Sequence, residues 1–129
     1  MRAVVTICSR AKSQAPGPLA ACLRYTAPHI KQAQAIARAQ QAPFFLLSGL
    51  YGLIHEHLSI PAYDYLLDDV NAGGLVGTVA GQLKDYGITG VCLCVEDKPS
   101  WEPYVRTLEQ AAAQVGIPLD KLVLDSEHK

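Results

Sequence analysis

Short, almost wholly apolar runs alternate along the chain with longer stretches whose apolar residues recur every three or four positions. Arg2 to Ile7 is β-rich and apolar, the pattern of a strand buried on both faces. Pro43 to Ser48 reads as a second buried strand and Ile88 to Val95 as a third. In the third, Cys92 and Cys94 fall on one face and Val91, Leu93 and Val95 on the other. Leu119 to Leu124 predicts a short last strand.

Helices fill the intervals. A short one is expected over Leu19 to Arg24. A second should start with Thr26 as N-cap and Pro28 in the first turn, where a missing N–H costs nothing, and should run to about Gln41. Its residues Ile30, Ala33, Ile36 and Ala37 share a face. A third, capped by Asp68 or Asp69, is predicted from Val70 to Tyr86. Gly73, Gly74, Gly77 and Gly81 weaken it by about 1 kcal/mol each relative to alanine. Their spacing suggests close approach of that helix to a sheet. Trp101 to Val115 predicts a fourth helix, stopped by Gly116. The segment from Gly49 to about Leu67 reads as irregular. Together these elements predict one small three-layer α/β/α domain over residues 1–129, with a mainly parallel sheet of about four strands.

Composition narrows the function classes. Half of the 129 residues are hydrophobic and 18% are charged, which suits a packed core and argues against a disordered chain. A net charge of −1 argues against a globally basic nucleic-acid binder. No apolar run approaches the roughly 18 residues of a membrane span. The start of the chain reads as a strand and not as a signal peptide, so a cytoplasmic location with reduced cysteines is expected. Cys8, Cys22, Cys92 and Cys94 form no Cys-x-x-Cys pair. His55-Glu56-His57 offers two imidazoles, but the sequence suggests no third ligand, and they read as exposed loop residues. Neither a metal nor a cofactor is expected.

Ligands of open parallel sheets bind beyond the carboxyl ends of the strands. Three polar clusters fall there: Cys8 to Ser13, Ser48 to Tyr51, and Glu96 to Lys98. Ser9 and Lys12 in the first suit an anion such as phosphate. Cys8 reads either as a nucleophile activated by Arg10 or Lys12, or as a small side chain capping the strand. In the second, Gly49 and Gly52 suggest unusual backbone angles or a close approach. Tyr51, Tyr63 and Tyr65 offer stacking faces and hydroxyls. Asp64 reads as a general base, or else as a helix cap or an ion-pair partner of Arg10 or Lys12. Trp101 reads as core or rim packing.

Four blocks carry a family likeness: Cys8-Ser9-Arg10-Ala11-Lys12, Leu23-Arg24-Tyr25-Thr26, Leu47-Ser48-Gly49-Leu50-Tyr51-Gly52-Leu53, and Pro61-Ala62-Tyr63-Asp64-Tyr65-Leu66. With them the first half of the chain resembles domain of unknown function family 6884. Ser48 through Ile54 is also similar to the Ser-Gly-Leu-Tyr-Gly-Leu-Leu block of the YaaA peroxide-stress family, which likewise has a lysine in its first loop. Arg24 and Ala62 are insertions relative to the first family's pattern, and His29-Ile30 replaces its usual aromatic. The resemblance implies a compact α/β fold, loosely uracil-DNA glycosylase-like, in which the loop after the first strand lines the base pocket.

The residues and the likeness together suggest a domain that binds or acts on a nucleobase, nucleotide or modified nucleic acid, with N-glycosidic bond chemistry as the candidate reaction. Asp64 and Lys12 are the catalytic candidates. Cys8, Ser9, Tyr25, Ser48, Gly49, Tyr51, Gly52 and Tyr63 are the substrate-binding candidates. Expected partners are a nucleotide-like small molecule or a nucleic acid, and no membrane. The rival readings are a non-catalytic stress-response or regulatory protein binding DNA or a protein partner, and a redox sensor using Cys8.

Overall fold

A computed structural model of the chain describes residues 1–8, 19–24, 27–49, 51–60 and 72–124. The central sheet is built on β1 (Arg2–Ile7), whose residues Ala3 to Ile7 are all buried. On one side β1 pairs in parallel with β3 (Phe44–Ser48), with Ile7 opposite Leu47. On the other it pairs in parallel with β6 (Gly90–Val95), with Thr6 opposite Cys94. β7 (Leu119–Val123) extends the sheet beyond β6 in parallel. β4 (Gly52–His55) closes the opposite edge antiparallel to β3, so the five-stranded order is β4-β3-β1-β6-β7. A separate two-residue ladder joins β2 (Leu19–Ala20) to β5 (Ser59–Ile60).

The helices are α1 (Ala21–Arg24), α2 (Pro28–Gln40), α3 (Ala72–Asp85) and α4 (Glu102–Val115). α2 packs Ile30, Ala33 and Ala37 against Val4, Phe44, Leu46, Cys92 and Cys94 on one face of the sheet. α3 and α4 pack Leu75, Val79, Leu83, Val105, Leu108 and Ala111 against Val5, Ile7, Phe45, Leu47, Val91 and Leu93 on the other. The alternation of β1, β3 and β6 therefore feeds two separate apolar cores, and all three layers are present. Both cysteines of β6 face α2, and burial pushes the Cys94 thiol up to about 12. No helix among the described residues is long and apolar enough to cross a membrane.

Several elements differ from the pattern-based expectation. Gly52 to His55 lies in the stretch that reads as irregular, yet it forms β4, so the sheet has five strands with one antiparallel edge. Leu19 and Ala20 pair as a strand, and the short helix begins only at Ala21. The N-cap of α2 is Ala27, extended at φ −66° and ψ 149°, because Pro28 as first helical residue holds its predecessor out of the helical region. Three of the α3 glycines do not serve close packing: a Cβ at Gly74, Gly77 or Gly81 would meet nothing within 4 Å, while the surroundings of Gly73 lie outside the described residues. Those three lie on the water side, and the opposite, apolar stripe of Leu75, Val76, Val79, Ala80 and Leu83 meets the core. Gly116 does stop α4, in the left-handed region at φ 74°.

Because Gly77 and Gly81 sit exposed in a helix interior, alanine there removes backbone freedom from the unfolded chain without steric conflict. Gly77→Ala and Gly81→Ala should each raise unfolding free energy by about 0.5–1 kcal/mol in urea denaturation.

Candidate functional site

The carboxyl ends of β1, β3 and β6 lie side by side. Continuing the register from Ile7–Leu47 and Thr6–Cys94 puts Cys8 between Ser48 and Glu96, with about 4.8 Å from strand to strand. The Cys8 N–H donates to the Leu47 carbonyl (3.0 Å), so the first loop leaves the sheet directly beside the second cluster. Cys8 is half-buried and packs against both cores. All three polar clusters thus begin on one edge.

The direction of the connections singles out one gap. The chain leaving β1 goes to α2 on one face, and the chain leaving β6 goes to α4 on the other. In open α/β sheets, such a divergence opens the crevice in which ligands bind. Here two side chains meet at the divergence. His29, in the first turn of α2, places its ring 4.7 Å from that of Trp101, centroid to centroid and edge-on. Trp101 belongs to the short 3-10 turn Pro99–Trp101 that precedes α4. His29 is only 5% exposed, and its Nε2 donates to the Ile7 carbonyl at 2.7 Å. A carbonyl only accepts, so Nε2 carries the proton and Nδ1 keeps its lone pair in the neutral ring. Burial holds the imidazole below its ordinary value. The carbonyl of Ile7 and the charge of Glu96 oppose that shift, and Lys98 adds to it. Lys98 and Glu96 pair at 2.8 Å, with the carboxylate largely buried.

The second cluster is a three-residue hairpin loop between Ser48 and Gly52, which face each other across the β3–β4 pair. Ser48 is buried, and its Oγ accepts the Tyr51 N–H at 3.1 Å. Its hydroxyl thereby holds the turn. Gln82 reaches over from α3. Its Nε2 donates to the Tyr51 carbonyl (3.0 Å) and its Oε1 accepts from the Leu53 N–H (2.7 Å). Gly52 adopts φ +74°, and a Cβ there would collide with Gln82 Oε1, so the glycine meets both a left-handed turn and a close approach. Gly49 is buried. Tyr51, half-buried, packs against the same core as Cys8 and α2.

Of the candidates read from sequence, Cys8, Ser48, Gly49, Tyr51 and Gly52 gather at this edge. Ser9, Lys12, Tyr25, Tyr63 and Asp64 lie outside the described residues. His29 is the addition. A histidine directly after Pro28 at the start of a helix that follows β1 is the signal that points to it. No family model, no curated protein and no solved structure matches the chain.

Two outcomes follow from this geometry. The unfolded chain's imidazole takes a proton near pH 6.5, whereas burial lowers the folded chain's uptake. Stability is therefore full above about pH 6.5 and falls as the pH drops from there toward the lower folded value. His29→Gln should lose less stability than the parent between pH 7.5 and 5 in urea titrations. Separately, Gly52→Ala should cost about 1–3 kcal/mol in the same assay, through backbone strain and displacement of Gln82.

Proposed function

We propose that the crevice at the carboxyl edge of the sheet binds a nucleobase-bearing ligand, either a nucleotide or a base presented by nucleic acid. The N-glycosidic bond is the target of any chemistry there. The observation that carries this reading is the His29–Trp101 contact where the connections from β1 and β6 diverge. It sets a neutral imidazole beside the strand ends from which Cys8 and Glu96 depart. A neutral histidine with a fixed proton offers a base edge directional hydrogen bonding without the cost of a buried charge. The half-buried Tyr51 offers an aromatic face on the same side of the sheet as α2. The likeness of the Leu47–Leu53 block and the Cys8–Lys12 loop to family 6884 and to the YaaA family supports the same choice.

In this reading Ser9 and Lys12 hold a phosphate, while Tyr25, Tyr51 and Tyr63 enclose the base. Asp64 orients a water or a sugar hydroxyl toward the glycosidic carbon, and Lys12 steadies the charge that develops on the departing side. Ser48, Gly49 and Gly52 shape the loop that presents Tyr51.

Thermal melts with each nucleoside monophosphate and with short single-stranded oligonucleotides test the reading. A binding ligand at one hundred times its dissociation constant adds about 2.7 kcal/mol. At least one should raise the melting temperature. Tyr51→Ala should weaken that shift for nucleotide and free nucleoside alike, and Lys12→Ala for the nucleotide only. Absence of any shift across the panel overturns the proposal.

A further inference from the structure

We propose that Cys22, Glu56 and His57 bind a divalent transition-metal ion, with zinc the expected occupant. This group lies at the opposite edge of the sheet from the crevice. β4 runs back along β3, and the Glu56 N–H donates to the carbonyl of Phe44 at the start of that strand (3.1 Å). The metal proposal is therefore independent of the nucleobase reading.

Backbone pairing brings the three residues together. Leu19 and Ala20 pair with Ile60 and Ser59. The ladder continues as Ala21 N–H to Leu58 O at 2.8 Å and Cys22 N–H to Glu56 O at 2.9 Å. The thiol is thus fixed beside the turn that carries the carboxylate and the imidazole. One donor atom from each of the three lies within 4.8 Å of the others. Tetrahedral zinc with sulfur at about 2.3 Å and nitrogen or oxygen at about 2.0–2.2 Å sets donors about 3.5 Å apart. Closure needs a movement on the order of 1 Å, and the exposed His57 has the rotamer freedom to supply it. His55 stays outside the group. Its Nδ1 accepts the His57 backbone N–H at 3.3 Å, and its ring stands edge-on to Phe45.

The carboxylate is already oriented in the way that metal-ligating carboxylates are. Glu56 is 4% exposed. Its Oε1 accepts from Gln34 Nε2 (2.7 Å) and Arg38 Nη2 (2.7 Å), which uses both lone pairs. Among the described residues its Oε2 accepts one hydrogen bond, from Arg38 Nη1 (2.9 Å), and so keeps a lone pair for a metal with the Arg38 pairing intact. Thiolate, carboxylate and imidazole are a donor set suited to zinc, and three protein ligands leave a fourth position for water. On binding, the Cys22 thiol loses its proton to solvent and the sulfur lone pair forms the bond to the ion.

Cobalt(II) provides an optical probe for a thiolate ligand. Titrated into the chelator-treated full chain, cobalt should bind at one ion per chain with a thiolate-to-cobalt charge-transfer band, and zinc should displace it. Cys22→Ser should abolish the band. His57→Ala, a change at an exposed position, should keep the fold by circular dichroism and weaken cobalt binding at least tenfold. The absence of a stoichiometric band in the parent chain overturns the proposal. So does a band that persists in Cys22→Ser, or binding unchanged in His57→Ala.

Discussion

The hydrogen bonding of β1 on both sides to parallel neighbours is the constraint on which the remaining structure depends. A strand so placed has no polar face, which is why Ala3 to Ile7 are all sealed from water. Thr6, the one polar side chain among them, donates its hydroxyl to the Cys94 carbonyl at 2.8 Å. Parallel neighbours require crossover connections, and those connections put α2 on one face and α3 with α4 on the other. At the end of β1 the ladder stops, and the Ile7 carbonyl passes to the His29 imidazole. The buried histidine thus completes the hydrogen bonding of the strand at the point where the connections from β1 and β6 diverge.

The two ends of the sheet have different chemistry, and α2 spans both. Its first turn carries His29 toward the carboxyl edge. Further along the helix Gln34 and Arg38 grip Glu56 at the other edge. Burial by itself would push the Glu56 carboxyl up, but the hydrogen bonds from Arg38 and Gln34 outweigh it and hold the group below its ordinary range. A single helix therefore fixes one neutral and one charged polar group on either side of an apolar middle made by Ile30, Ala33 and Ala37.

Much of this frame is legible in the residues, and the misses have physical causes. β1, β6 and α4 follow from local pattern: continuous apolar runs for strands buried on both faces, and a helical apolar repeat closed by Gly116. β4 is four residues long and begins at a left-handed glycine, and its start is held by Gln82 from a distant helix, so nothing local announces it. In α3, the positions of Leu75, Val79 and Leu83 were a better guide to the buried face than the glycine spacing, since small residues also populate solvent faces. His29 depends on where the first turn of α2 comes to rest, and the Cys22–Glu56–His57 group on a two-residue ladder. Both are tertiary facts without a periodic signature. The converging strand ends were readable because parallel alternation alone implies them.

The burial of Cys92 and Cys94 behind α2 has a practical corollary. A thiol sealed out of reach of reagent is inert to alkylation in neutral buffer. Separation of α2 from the sheet would release both at once, so the number of modifiable sulfurs reports whether that layer is seated, without any engineered label.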